Sequence, residues 1–549
     1  MKQARIYIIS IGATFAFLLL IGNIYKLQIE KGDYYAARAA SQYHMAGLLD
    51  PLRGTIYFTD RNDNKIPAAM IKEYPLIFAV PTEITDPQGI ATTLSPIVGI
   101  DQPTLATMLA KPHDEYELLV RKATDDQVAK IEDLKIKGIY EDSEDLRFYP
   151  FGTLASQLLG FVGMSANSTS PIGRYGLELE YNDQLAGMPG KLNGNKIVSS
   201  TPGEDLQLTI DVNVQTRAEE ILQNLIQNFK AEKGMVIVED PATGKILAMG
   251  AFPNFDPNTY ASASLNTYMN PMVQEVYEPG SVMKVITMAG GLDAGKLTPS
   301  TTFFDSGSLS LDGYTIRNWD LKAHGTVTMT QIIEDSLNTG AAYAERLVGP
   351  DLFLSYLKKF GFGEKTGIAL PGELDGSLAN LSGAFRPVNF ATAAFGQGIS
   401  VTPLQMIDAI GALANGGKLM RPYVVASDGP QEIRQVVSPE AAKEATDMMV
   451  AAVDNAGVTT ISHYSVAGKT GTAQIPDFVH GGYLDNQFIH TYIGFAPAYN
   501  PKFIALIRID KPDTELAGES VVPAFRDLAQ FILNYYNVPP DRLNAPSGN

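Results

Sequence analysis

The sequence predicts an α+β protein: one membrane-spanning helix, an elongated mixed module, and a larger domain in which an antiparallel sheet is covered by helices. Three observations carry that reading. An uncharged apolar stretch runs from Ile6 to Tyr25. Strand-like alternation and helical periodicity then take turns along the rest of the chain. Finally, 549 residues with 45% hydrophobic content exceed one ordinary domain and can build more than one core.

The first element is "IYIISIGATFAFLLLIGNIY", residues 6–25, which has the length of ~20 residues that a helix needs to cross a bilayer. A cleaved signal peptide is the competing reading. Its apolar core would run to only ~7–15 residues, and the first small-x-small site here, near Ala37 and Ala39, lies well past the apolar stretch. An uncleaved anchor is therefore expected, preceded by residues 1–5. Lys2 and Arg5 stand before it and Lys26, Lys31 and Arg38 after it, so flanking charge does not orient the span.

Residues 26–202 read as the elongated module. "LRGTIYFTDRNDNKIPAAM" is two apolar stretches around a polar turn, a hairpin pattern. From Asp101 to Tyr140 the spacing turns helical, as in "QVAKIEDLKIKG". "RFYPFGTLASQLLGFVG" and "GRYGLELEYNDQLAG" then place turn residues before apolar faces.

Residues 203–537 read as the larger domain, with 538–549 as a tail. "DLQLTIDVNVQ" alternates like a strand, "AEEILQNLIQNF" is helical, and "GMVIVEDPATGKILAMGAF" gives two strands around a Pro/Gly turn. "YSVAGKTGTAQ", "HTYIGFAP" and "KFIALIRID" are further strands, and "PAFRDLAQFILNYY" is a closing helix.

Composition excludes several chemistries. There is no cysteine, hence no disulfide, thiolate nucleophile or zinc-thiolate site. A net charge of −18 and the absence of a basic tract argue against a nucleic-acid partner. The six histidines show no HExxH or comparable metal spacing, and no G-x-S-x-G elbow occurs.

Three short motifs remain. In "EPGSVMKVITMAGGLDAG", Pro279 and Gly280 break the chain direction, so Ser281 would open a helix whose free N–H groups favour a developing anion. Lys284 falls on the same face one turn on. It can take the serine proton only when neutral, which requires burial or a neighbouring cation to pull it below the ordinary ~10.4. The bland alternative is a capping serine beside a solvated lysine. "EDSLNTG" offers the Ser336 hydroxyl and the Asn338 amide, or simply another cap. In "VAGKTGTAQ", Lys469, Thr470 and Thr472 could grip a carboxylate while Gly471 admits a close backbone. A phosphate loop fails there, because the glycine required five residues before Gly468 is His463.

Taken in order, "SVMK", "SLN" and "KTGT" resemble the motif set shared by penicillin-binding proteins and serine β-lactamases. "LRGTIYFTDRN", "RFYPFGTLASQLLGFVG", "GRYGLELEYNDQLAG", "FGQGISVTPLQ" and "ANGGKLMRPYVV" extend the resemblance along nearly the whole chain. The family is the class B penicillin-binding proteins, monofunctional peptidoglycan D,D-transpeptidases with a β-lactamase/transpeptidase-like catalytic domain and a dimerisation-type pedestal.

That resemblance implies acyl transfer onto stem peptides ending in D-Ala-D-Ala, with β-lactams as covalent inhibitors and no metal or cofactor needed. Ser281 would be the nucleophile, Lys284 its base, Ser336 a proton relay and Asn338 an orienting amide. Lys469 would supply positive potential, and Thr470, Gly471 and Thr472 would bind substrate. The backbone N–H groups of Ser281 and Thr472 would form the oxyanion hole. Crosslinking outside the cytoplasm would orient the anchor, leaving residues 1–5 cytoplasmic and the catalytic domain outside a bacterial plasma membrane.

A SEDS-type glycosyltransferase and other divisome proteins would be partners. The short loop between "RFYPFG" and "GRYGLE" resembles the cell-division, FtsI-like type, with the elongation type as the alternative. A β-lactamase or carboxypeptidase would share the fold but needs no anchored spacer. A β-lactam receptor would need more cytoplasmic chain, and an inactive divisome scaffold would not need Ser281, Lys284 and Lys469 intact.

Overall fold

The computed structural model describes residues 51–164, 171–193, 196–477 and 480–542. The expected anchor and the residues before it lie outside that range. Among the described residues no helix is long and apolar enough to cross a membrane. The chain divides into two compact units, Met1–Gly54 with Asp183–Glu204, and Thr55–Asn182 with Asp205–Asn549. In the first, Gly203 N donates to Leu52 O at 2.8 Å, Gly54 N donates to Leu185 O at 2.8 Å, and Met188 and Thr201 exchange both backbone bonds.

The second unit opens with the expected hairpin. Strands β1 (Ile56–Thr59) and β2 (Ile66–Ala79) pair antiparallel, and Asp60 closes the turn by accepting from the Asn62 and Asn64 amides. Strands β3 (Glu117–Arg121) and β4 (Ile139–Phe148) both pair with β2. The helical text of this region becomes Asp125–Leu134, started by a Thr124/Gln127 capping box. It packs Ile131 into a core with Ile77, Leu94 and Leu105.

Strand β5 (Leu206–Asp211) pairs in parallel with β1. The alternation that runs on to Gln215 does not extend the strand. The Asp211 carboxylate caps the Asn213 and Val214 amides and starts helix α1 (Val212–Phe229) there.

The catalytic-domain sheet has the order β7-β6-β10-β9-β8, all antiparallel. Its strands are β6 (Lys233–Asp240), β7 (Lys245–Phe252), β8 (Ala467–Pro476), β9 (Tyr483–Ala496) and β10 (Phe503–Asp510). Helices α1 and α6 (Val521–Tyr535) bury Ile221, Leu225, Phe525, Leu528 and Ile532 against Val236, Val238, Ile507 and Ile509 on one face.

The other helices that matter are α2 (Met283–Asp293), α3 (Asn338–Val348), α4 (Pro403–Ala414) and α5 (Pro439–Ala456). Side chains alternate along a strand, so Glu239 points away from Val238. It meets Asp408 of α4, which places α4 on the opposite face of the sheet. Burial pushes the Glu239 carboxyl up to about 8 and raises Asp408 as well, aided by the neighbouring Glu239 and Glu373. Helix α2 is buried from Met283 through Leu292.

Candidate active site

The site lies where the turn before α2, the turn before α3 and the edge strand β8 meet. Ser281 occupies a short 3-10 turn, Gly280–Val282, that runs into α2. Gly280 has φ +61°, and its N–H donates to Gly396 O at 3.1 Å. A side chain at Gly396 would put Cβ 2.2 Å from Gly280 O, so two glycines allow this crossing. The Ser281 hydroxyl is partly exposed and makes no hydrogen bond to the described residues.

Lys284, one turn on, is completely buried. Its Nζ donates to Ser336 O at 2.5 Å and lies 3.2 Å from Ser336 Oγ. Burial, reinforced by the nearby charge of Lys469, holds the Lys284 amine well below the ordinary lysine range. Lys469 Nζ lies 3.0 Å from the same Ser336 Oγ, and it donates to Thr470 O and Oγ1 at 3.1 and 3.3 Å. It is 4% exposed, and burial lowers it to about 8. At neutral pH the arrangement favours an uncharged Lys284 beside a charged Lys469.

Ser336 reaches both lysines because of its backbone. The helix Met329–Glu334 ends at Asp335, and Ser336 follows at φ +56°. Leu337 N closes the turn on Ile332 O at 3.0 Å. This is a Schellman ending with serine at the left-handed position that glycine usually takes.

Asn338 begins α3 two residues later. Its Nδ2 donates to Arg317 O at 2.9 Å, so here its amide holds the hairpin Ser308–Leu311/Tyr314–Arg317 rather than Lys284.

On β8, Thr470 is half-buried and Thr472 is exposed. Gly471 is buried, and a Cβ there would lie 3.0 Å from Val282 Cγ2 and 3.1 Å from Pro279 O. Its bareness serves the Ser281 turn, which could not otherwise lie so close to the strand. Strand β8 pairs with β9 on one side and forms the sheet's edge on the other. The structure thus gathers Ser281, Lys284, Ser336, Asn338, Lys469, Thr470, Gly471 and Thr472 from three stretches of chain. Among the described residues no cluster of three or more His, Asp or Glu could hold a metal.

Sequence reasoning missed the supports. Glu278, three residues before Ser281, accepts from Gly398 N at 2.8 Å and from Tyr483 OH at 2.9 Å. Trp319 Nε1 donates to Asp335 O at 3.0 Å, beside Ser336. These partners lie 120, 205 and 16 residues apart in sequence, so no local motif carries them.

Comparison with known proteins places both regions of the chain in one family. Residues 234–530 match the model described as the penicillin binding protein transpeptidase domain, and residues 48–208 match the penicillin-binding protein dimerisation domain. Stage V sporulation protein D of Bacillus subtilis is 32% identical, over 98% of this chain and 86% of its own length. Penicillin-binding protein PbpB of Mycolicibacterium smegmatis is 30% identical, over 94% and 88%. The crystal structure of penicillin binding protein 2X from Streptococcus thermophilus superimposes with a TM-score of 0.74 at 24% identity, covering 89% of this chain and 80% of that one. On these matches the chain belongs to the class B penicillin-binding proteins, the peptidoglycan transpeptidase branch of that family.

Proposed function

We propose that this transpeptidase works through a serine acyl-enzyme carried on Ser281. Ser281 Oγ attacks the carbonyl carbon of the penultimate D-Ala while its proton passes to neutral Lys284. The tetrahedral oxyanion is met by the backbone N–H groups of Ser281 and Thr472. The C–N bond then breaks, and the terminal D-Ala leaves as an amine with a proton delivered from Lys284 through Ser336. An amine from a second stem peptide attacks the Ser281 ester, forms the crosslinking amide and returns the hydroxyl to Ser281. Lys469 and the hydroxyls of Thr470 and Thr472 bind the terminal carboxylate, and Asn338 holds the wall of the site.

The observation that carries this reading is the completely buried Lys284, joined through Ser336 Oγ to a second buried lysine. Lysine has no reason to be buried without an anion unless it is wanted neutral. The test is labelling of the purified full chain by a fluorescent penicillin, wild type beside Ser281→Ala. Stable label on the wild type alone is expected. Label persisting in Ser281→Ala would move the nucleophile elsewhere, and rapid loss from the wild type would turn the reading toward hydrolysis.

We assign the enzyme to septal wall synthesis, anchored by Ile6–Tyr25 with its catalytic domain outside the plasma membrane and a SEDS-type glycosyltransferase and divisome proteins as partners. In support, a relative named peptidoglycan D,D-transpeptidase FtsI homolog, from Mesostigma viride, matches 95% of the chain at 26% identity. The sporulation relative favours a second reading, a wall-synthesis role confined to spore development. Depletion during vegetative growth separates them: filamentation supports the septal role, and normal division supports the other.

A further inference from the structure

The nucleophile turn is stitched firmly on one side. Tyr277 and Val401 exchange both backbone bonds, at 2.9 and 3.0 Å, and Gly280 N donates to Gly396 O. On its other side lies β8, the edge strand, whose one sheet partner among the described residues is β9. Turn and strand touch at Gly471, where a Cβ would meet Val282 and the Pro279 carbonyl; that packing limits their approach, and a link from the turn end of the hairpin to the Ser281 segment would hold the contact closed.

Glu278 makes that link. One carboxylate oxygen accepts from Gly398 N at 2.8 Å, within the segment that anchors the turn, and the other accepts from Tyr483 OH at 2.9 Å. Tyr483 begins β9 opposite Pro476, at the turn end of the hairpin that carries Lys469 to Thr472. Burial and the adjacent carboxylate raise the Tyr483 phenol, so it remains a donor throughout the neutral range.

We propose that Glu278 is a positioning residue: by latching the β8–β9 hairpin through Tyr483, it sets the separation between the Ser281 turn and the strand that completes the oxyanion hole. This rests on the acyl-enzyme reading above. Glu278 touches no reacting atom; it acts through the two segments that it joins.

The experiment is the rate of acylation by fluorescent penicillin, with melting temperature alongside, for wild type, Glu278→Ala, Glu278→Gln, Tyr483→Phe and the Glu278→Ala/Tyr483→Phe double variant. Loss of a hydrogen bond to a charged group predicts an acylation rate about tenfold lower for Tyr483→Phe, which keeps the ring and the fold. Glu278→Ala falls at least as far. Glu278→Gln recovers most of the rate, because its amide still accepts from Gly398 N–H and still bonds the phenol. The double variant is no slower than Glu278→Ala, since both substitutions cut the same link. The loss falls on the acylation step at saturating penicillin, not on initial binding. Independent, multiplying effects overturn the latch, as does Glu278→Gln being as slow as Glu278→Ala. Unaltered rates in all variants of an enzyme that still labels overturn this inference alone. A wild type that takes no label overturns the acyl-enzyme reading instead.

Discussion

Replacing Lys469 with methionine should make the protein more stable and inactive at once. The Lys469 amine is 4% exposed and titrates at about 8 instead of 10.5, because burial disfavours its charge. That difference corresponds to about 3 kcal/mol of cost for holding the ammonium in the folded protein at pH 7. The lost bonds to Ser336 Oγ and Thr470 give back part of it, leaving a net gain of about 1–3 kcal/mol for Lys469→Met. Lys284 adds to the gain, since it is relieved of a like charge.

The sign fixes the pH dependence. Between about 8 and 10.5 the unfolded lysine holds a proton that the folded one has released, so wild-type stability rises with pH across that window. The advantage of Lys469→Met should therefore shrink by about 2 kcal/mol between pH 7 and pH 9.5. Urea unfolding at both pH values measures it, with penicillin acylation measured in parallel. A gap that does not change with pH would refute the account, as would a variant less stable than wild type at pH 7.

Other consequences can be checked together. Acylation by the wild type should fall as pH rises past about 8, where Lys469 loses its charge, and Lys469→Arg should remove that alkaline limb because guanidinium stays charged, though at a lower plateau. Glu239→Gln should stabilise the fold more at pH 7 than at pH 4.5, because burial against Asp408 raises the native carboxyl, and the cost of keeping its proton is felt only above the range where the unfolded acid ionises. Thermal midpoints at the two pH values decide it. Gly471→Ala should slow acylation tenfold or more with the fold intact, as its methyl would press on Val282 and the Pro279 carbonyl and shift the nucleophile; a rate near wild type would contradict this.

Much of the catalytic sheet was legible because its strands carry their own signals. "GMVIVED" and "KFIALIRID" are apolar runs bounded by turns, and they became β6 and β10. The triad of motifs was legible because each is contiguous. What could not be read were relations between distant residues. Nothing near Glu239 announces Asp408, and nothing near Glu278 announces Tyr483. The start of α1 at Val212 was hidden because Asp211 ends a strand and caps a helix in the same position, while the alternation of apolar residues continues past it. The pairing of β5 with β1 depends on a partner about 150 residues earlier, which no periodicity encodes.

Ser336 carries one hydroxyl hydrogen and stands between two nitrogens, at 3.2 and 3.0 Å. A single hydrogen cannot face both. While Lys284 is neutral, the hydroxyl can point to it and receive from the charged Lys469. In the proposed mechanism, Lys284 has no lone pair left to offer once it takes the Ser281 proton, and the hydroxyl would swing away, toward the departing amine. One bond rotation would then keep time for the reaction, barring the second half until the first has happened and retracing the same arc when the incoming amine sheds its proton.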